Sequence, residues 1–95
     1  MYVGVLQIEF KLHGPTNLKE RRAIVRSLKD RIRSTFQVAV AEVGPVEEYR
    51  EATLGIALVS NEARHARQVA DRIVQYIEND RTGAVEITDI QVEIL

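Results

Sequence analysis

Hydrophobic and polar residues alternate strictly at the start of the chain. Between residues 2 and 12 the even positions from Leu6 to Leu12 are apolar, whereas the odd positions from Gln7 to Lys11 are polar. Because successive side chains of a strand point to opposite faces, this period of two predicts a strand with one buried side. The segment His13-Gly14-Pro15-Thr16 then ends the strand, since glycine and proline interrupt regular structure.

The next segment changes to a helical period. Asn17 is placed to cap a helix with its side-chain oxygen, and Glu20 occupies the position from which a carboxylate can reach back. Ile24 lies at the margin of an apolar face that consists of Leu18, Val25, Leu28, Ile32 and Phe36. This spacing predicts a helix from about residue 18 to residue 35.

Two short apolar segments follow this helix. They predict strands at residues 38–43 and 52–59. Between them, Gly44-Pro45 ends the first strand, and Val46 to Glu51 form an acidic connection that contains Tyr49.

The last third of the chain predicts a second helix and a fourth strand. The helix spans about residues 62–79, Ser60 or Asn61 is its expected cap, and its inward face consists of Ala66, Val69, Ala70, Ile73 and Ile77. Residues 84–94 form the strand, but its apolar positions change parity after Ile87. A bulge or a bend near Thr88-Asp89 would reconcile the two halves.

The predicted order of elements is βαββαβ. Two βαβ units with right-handed crossovers, joined by a hairpin, interleave into a four-stranded antiparallel sheet with both helices on one face. We therefore predict an α+β, ferredoxin-like fold, and residues 1–95 form a single domain of ordinary size.

Three segments of the chain resemble the small bacterial YlxP-like proteins, a domain of unknown function. They are Asn17–Arg22 (NLKERR), Val40–Val43 (VAEV) and Leu54–Ser60 (LGIALVS). The resemblance implies a ferredoxin-like fold and a bacterial cytoplasmic protein whose genes often lie near those for translation initiation and ribosome maturation factors. It implies no catalytic residues.

This chain departs from the YlxP-like pattern at two places. The family usually has serine where Asn17 stands, although asparagine caps a helix equally well. It often has a tryptophan–glutamine pair where this chain has Tyr49-Arg50, so a role that requires that amide is not carried over.

Composition excludes several classes of function. The chain has no cysteine, which excludes disulfides, thiolate chemistry and cysteine-based zinc sites. No apolar run approaches the ~18 residues of a membrane span, and the N-terminus lacks the pattern of a signal peptide. We therefore expect a cytoplasmic protein that has no membrane partner.

The net charge of −1 conceals an asymmetric distribution. Residues 16–36 carry seven basic and two acidic side chains, a balance of +5 that the rest of the chain must offset with −6. Five of the basic residues, here called the basic stripe, fall within an arc of about 80° on the first helix. They are Lys19, Arg22, Arg26, Lys29 and Arg33.

The basic stripe has three interpretations. It is a solvated helix face, a surface that contacts phosphates, or a surface that binds an acidic protein. Only Asp30 lies close to the stripe by angle, so little nearby charge compensates it.

Arg21 differs from the other cations because it falls in the middle of the apolar face. An unpaired buried charge is costly, so three arrangements are open. The side chain extends to water past the helix end, pairs with a carboxylate such as Glu42, or binds an anion near the helix N-terminus.

No catalytic constellation is evident. His13 and His65 are isolated, without metal-ligand spacing or a partner nucleophile. Acylphosphatases share this size and plan, but their phosphate loop is glycine-rich, whereas Pro15 removes an N–H that such a loop needs. We predict no enzyme activity and no cofactor.

The sheet face away from the helices is predicted to be small and partly apolar. It offers Val3, Val5, Gln7, Glu9 and Lys11 from the first strand, and Thr53, Gly55, Ala57 and Val59 from the third. It therefore lacks the aromatic side chains on which RNA-recognition modules stack bases. The second strand is uncharged from residue 38 to 41 and is expected at an unprotected edge, so self-association through this face or this edge is a structural hypothesis.

Two functions are compatible with these features. The leading hypothesis is a non-enzymatic module that contacts the phosphates of RNA or of the ribosome through the basic stripe. The alternative is a homo-oligomeric scaffold or regulatory module that binds a protein or a small ligand, in which the basic stripe is only a solvated face.

Overall fold

The computed structural model describes residues 1–44 and 49–95. The elements are β1 (Tyr2–Leu12), α1 (Leu18–Phe36), β2 (Ala39–Glu42), β3 (Glu51–Ser60), α2 (Ala63–Glu78) and β4 (Val85–Ile94). The strands pair antiparallel in the order β2-β3-β1-β4, so β1 and β3 are central and β2 and β4 lie at the edges. The predicted βαββαβ, ferredoxin-like arrangement is confirmed.

The hydrophobic core lies between the two helices and one face of the sheet. The alternation in β1 is confirmed, because its even positions from Leu6 to Leu12 are buried while Gln7, Glu9 and Lys11 are exposed. The same alternation holds in β3, where Ala52, Leu54, Ile56 and Leu58 are buried. The helices complete the core with Val25, Leu28, Ile32, Ala66, Ala70, Ile73 and Ile77.

The start of α1 follows the expected capping chemistry. The Asn17 Oδ1 atom accepts a hydrogen bond from the Glu20 N–H at 2.9 Å. The Glu20 carboxylate reaches back one residue further, to the N–H of Thr16 at 2.8 Å and to the Thr16 hydroxyl. The hydrogen bond from the Thr16 hydroxyl lowers the pKa of Glu20 most, and the hydrogen bond from the Thr16 N–H lowers it further. This carboxylate therefore stays charged near the positive end of the helix.

The predicted bulge in β4 is confirmed at Thr88. Glu9 of β1 lies opposite Asp89, whereas the next residue, Phe10, lies opposite Ile87. Thr88 is therefore the extra residue, and its hydroxyl donates to the Glu9 carbonyl at 3.2 Å.

Several predicted boundaries were wrong. Neither Ser60 nor Asn61 is the N-cap of α2; that position is Glu62, whose side chain makes no capping hydrogen bond. Ser60 instead belongs to β3, and its hydroxyl accepts from the Glu62 N–H at 3.1 Å. Glu51 also belongs to β3 rather than to the acidic connection, and β2 has four residues rather than six. Within the predicted connection, Tyr49 and Arg50 form a turn, whereas residues 46–48, and Pro45 before them, lie outside the described residues.

An ion pair between Arg31 and Asp80 attaches α1 to the segment after α2. The Arg31 Nη1 atom lies 3.0 Å from the Asp80 Oδ1 atom, and the Asp80 side chain is only 4% exposed. Burial raises the pKa of Asp80, but hydrogen bonds from Thr82 and Arg31 and the charge of Arg31 outweigh it and lower the pKa overall. Asp80 is therefore ionised at neutral pH and holds the two segments together.

Candidate functional site

The basic stripe lies along the flank of α1 that faces the edge strand β2. Lys19, Arg22 and Arg26 are exposed, and Lys29 is half-buried. This flank is on the opposite side of α1 from Ile24, Ser27 and Arg31, which face the start of β4. The stripe is thus a surface of α1 alone, bounded on one side by β2.

Four of the five stripe cations form no ion pair with any residue that the structure describes. These four residues are Lys19, Arg22, Arg26 and Lys29. Across residues 1–44 and 49–95, no carboxylate forms an ion pair or a side-chain hydrogen bond with any of them. Charges this close repel one another by a few tenths of a kcal/mol per pair. A polyanion would relieve that repulsion.

Arg33, the fifth stripe residue, already contacts other groups of the protein. Its Nη1 atom lies 3.4 Å from the Asp30 carboxylate, and its Nη2 atom donates to the Val40 carbonyl at 2.9 Å. The Val43 N–H donates to the Thr53 carbonyl of β3. Successive residues of a strand direct their backbone groups to opposite sides, so those of Val40 point away from β3, to the free edge of β2. Arg33 therefore covers part of that edge and is only partly available to a ligand.

A groove runs beside the stripe, between α1 and the end of β2. Its volume is about 300 Å³. Cationic side chains form its rim, Leu18 and Val25 supply apolar surface, and the Glu42 carboxylate closes one side. Leu18 belongs to the predicted apolar face of the helix, but it is 42% exposed.

Arg21 lies at the inner side of this groove and is buried. Its side chain is 3% exposed, and its Nη1 atom contacts both oxygens of the Glu42 carboxylate, at 2.8 and 3.2 Å. Its Nε and Nη2 atoms donate to the Glu51 carbonyl at 3.2 and 2.9 Å. Of the three arrangements open from the sequence, the structure therefore has the ion pair with Glu42, and extension to water is wrong.

Neither histidine is among the residues that line the groove. His13 follows β1 and its Nε2 atom lies 2.8 Å from the Glu86 carboxylate, with both side chains about half exposed. His65 is exposed on α2. Within the described part of the chain, no three acidic or histidine side chains are close enough to hold a metal ion.

The sheet face away from the helices has the composition predicted for it, and it divides into two regions. Near β2 it is apolar, with a concavity of about 310 Å³ whose outward-facing residues include Val5, Ala41, Val43 and Ala57. Near β4 it is acidic, because Asp89 of β4 lies beside Glu9 of β1, and Glu93 of β4 lies beside Val5. None of the outward positions of the four strands is aromatic.

Comparison with known proteins identifies relatives but no activity. A family model described as "Protein of unknown function (DUF503)" matches residues 3–92. The chain is 25% identical over 77 residues to the "Uncharacterized protein YlxP" of Bacillus subtilis (strain 168), a match that covers 81% of this chain and 84% of that protein.

Solved structures show similarity of fold alone. A de novo designed protein with a ferredoxin fold matches with a TM-score of 0.55 at 13% identity, over 97% of this chain and 85% of its own. The structured domain of Drosophila melanogaster Boca matches with a TM-score of 0.51 at 9% identity, over 94% and 95% of the two chains. Neither described helix combines the length and apolar composition that crossing a bilayer requires.

Proposed function

Because this chain belongs to the DUF503 family, whose description assigns no activity, we propose its function from its surface: it is a non-enzymatic module that binds RNA through the basic stripe. The relationship to the YlxP-like proteins that three sequence segments indicated is confirmed. RNA, free or within the ribosome, is the proposed partner.

The observation that carries this proposal is the absence of ion pairs at Lys19, Arg22, Arg26 and Lys29 among the described residues. Only cations that are not already neutralised gain from displacing the counterions of a nucleic acid. Lys19 and Lys29 are ten residues apart, which corresponds to about 15 Å along the helix.

The distribution of charge supports the same surface. The open sheet face carries acidic residues along β4 and has no aromatic side chain in its outward strand positions, so it suits neither phosphate nor base stacking. The flank of α1 carries the opposite charge. Contacts of this kind position a protein on the phosphate backbone and read little sequence.

Salt dependence provides the test of the proposal. Five engaged cations would give a slope of log K against log salt of about −3.5 to −4.5, but Arg33 is already paired. With four cations we expect a slope of about −2.8 on single-stranded RNA and about −3.6 on duplex RNA. Fluorescence anisotropy of a labelled RNA, titrated at several salt concentrations, measures this slope. Absence of binding, or binding that does not change with salt, would contradict the proposal.

A second candidate function, self-association, is favoured by the apolar region of the open sheet face. Val59 is 67% exposed there, and the concavity beside Val5 and Ala57 is lined almost entirely by small aliphatic side chains. The edge of β2 is the less favourable route, because Arg33 occupies the Val40 carbonyl. We expect a dimer at tens of micromolar in sedimentation velocity, which Val59→Asp converts to monomer. A wild-type protein that sediments as a monomer would exclude this candidate.

A further inference from the structure

We infer that the groove beside the basic stripe receives one unpaired nucleotide of a bound RNA. The base lies against Leu18 and Val25, and the adjoining phosphates lie on Arg22, Arg26 and Lys29. This inference rests on the proposed function and specifies its ligand as single-stranded rather than duplex RNA.

The shape of the surface is the first argument. A helix flank that only contacts phosphates needs no depth, yet this one borders a groove of about 300 Å³. The groove mixes cationic and apolar side chains, and Leu18 is exposed between the charges rather than packed in the core. Pockets that hold small ligands are concave and largely apolar, with a few polar groups that fix orientation. A nucleotide supplies both a flat aromatic ring and an anion.

The charges around the groove determine the orientation. Arg21 and Glu42 neutralise each other, which leaves a net charge of about +3 from Arg22, Arg26 and Lys29. The Glu42 carboxylate repels a phosphate placed at its end of the groove. Both of its oxygens bind Arg21, but a carboxylate has about four lone-pair positions and can also accept N–H groups of a base. The phosphates are thus directed to the α1 rim and the base toward β2.

Duplex and single-stranded RNA separate this inference from simple charge attraction. Charge alone favours the duplex, because its charge density is higher and it releases more counterions per contact. Insertion of a base favours the single strand, because the bases of a duplex are paired and stacked within a helix whose grooves expose little of them. The two models therefore predict opposite orders of affinity.

The experiment is an anisotropy titration of wild-type protein with a labelled single strand of about 12 nucleotides and with the duplex of the same length, at one salt concentration. We expect the single strand to bind about fivefold to tenfold more tightly, at the low end of what base contacts contribute elsewhere. Leu18→Ala should remove most of this preference, weakening the single strand about threefold to fivefold and leaving the duplex unchanged. Leu95→Ala, at another exposed leucine, is the matched control and should change neither affinity.

The possible results distinguish the nucleotide groove from phosphate binding by the basic stripe. A duplex that binds as tightly as the single strand, with no effect of Leu18→Ala, overturns the nucleotide groove but leaves phosphate binding by the basic stripe in place. Failure of both RNAs to bind overturns the groove and the proposed function together. Leu18 is exposed, so loss of folding does not complicate its substitution, and circular dichroism of the variant verifies this.

Discussion

Replacing Arg21 by alanine is expected to lower the free energy of unfolding by about 3 kcal/mol or more. The side chain is buried, pairs with the Glu42 carboxylate and donates two hydrogen bonds to the Glu51 carbonyl. Its removal leaves a carboxylate that is 15% exposed without its cation, and a carbonyl without its donors. A buried charge that loses its partner destabilises far more than the pair itself stabilises.

Thermal or urea denaturation measures this change. For a chain of this length the loss corresponds to a fall in Tm of more than about 10 °C. Arg22→Ala is the matched control, because the neighbouring Arg22 is exposed and unpaired in the described structure, and it should change stability by less than about 0.5 kcal/mol. If Arg21→Ala were as stable as Arg22→Ala, the ion pair would not hold α1 against β2 and β3.

A double variant distinguishes the two contributions of this pair. Arg21→Met with Glu42→Leu removes both charges and retains apolar volume, so it should be more stable than Arg21→Ala. The Glu51 carbonyl still loses its donors, and the recovery should therefore be incomplete.

Elements set by local periodicity could be predicted from the sequence. The alternation in β1 gave its bounds, the Asn17 cap gave the start of α1, and the parity change in β4 gave the bulge at Thr88. Each of these signals lies within a few neighbouring residues. Side-chain direction along a strand or a helix follows directly from the backbone, so no tertiary information was needed.

Features that depend on distant partners could not be predicted. Glu42 and Glu51 lie 21 and 30 residues from Arg21, so the sequence could name Glu42 as one partner but could not decide among three arrangements. The predicted cap of α2 was wrong because β3 continues to Ser60. The pairing of β3 with β1 determines where β3 ends. The exposure of Leu18 could not be predicted either, because helical spacing places it on the same face as the buried residues Val25 and Leu28.

Helical spacing predicted the position of the basic stripe on α1, but it could not predict which of the stripe cations are already paired. Arg33 has the same spacing as its neighbours, yet the Val40 carbonyl and Asp30 hold it. The groove could not be predicted from helical spacing either, because Glu42 of β2 supplies one of its sides. The pairing of Arg33 and the presence of the groove both depend on residues of β2.

The second large effect is expected from reversing charge within the basic stripe. Arg22→Glu with Arg26→Glu removes two of the four free cations and places two carboxylates beside the groove. Affinity for RNA should fall by more than about 100-fold, because two phosphate contacts are lost and two repulsions are added. Both side chains are exposed, so the fold should be retained.

A matched control separates this local effect from net charge. Arg64→Glu with Arg72→Glu makes the same chemical change and the same change of four charge units on α2. Both of these arginines are exposed, and neither forms an ion pair with any of the described residues. Long-range electrostatics alone would weaken both double variants alike.

Whether RNA binds at the unpaired cations of α1 is decided by the affinity of these two double variants for one labelled single-stranded RNA, measured at one salt concentration. We expect the α2 variant to stay within about fivefold of the wild type and the α1 variant to lose more than about 100-fold. Equal losses in the two variants, or retained affinity in the α1 variant, would contradict binding of RNA by the basic stripe.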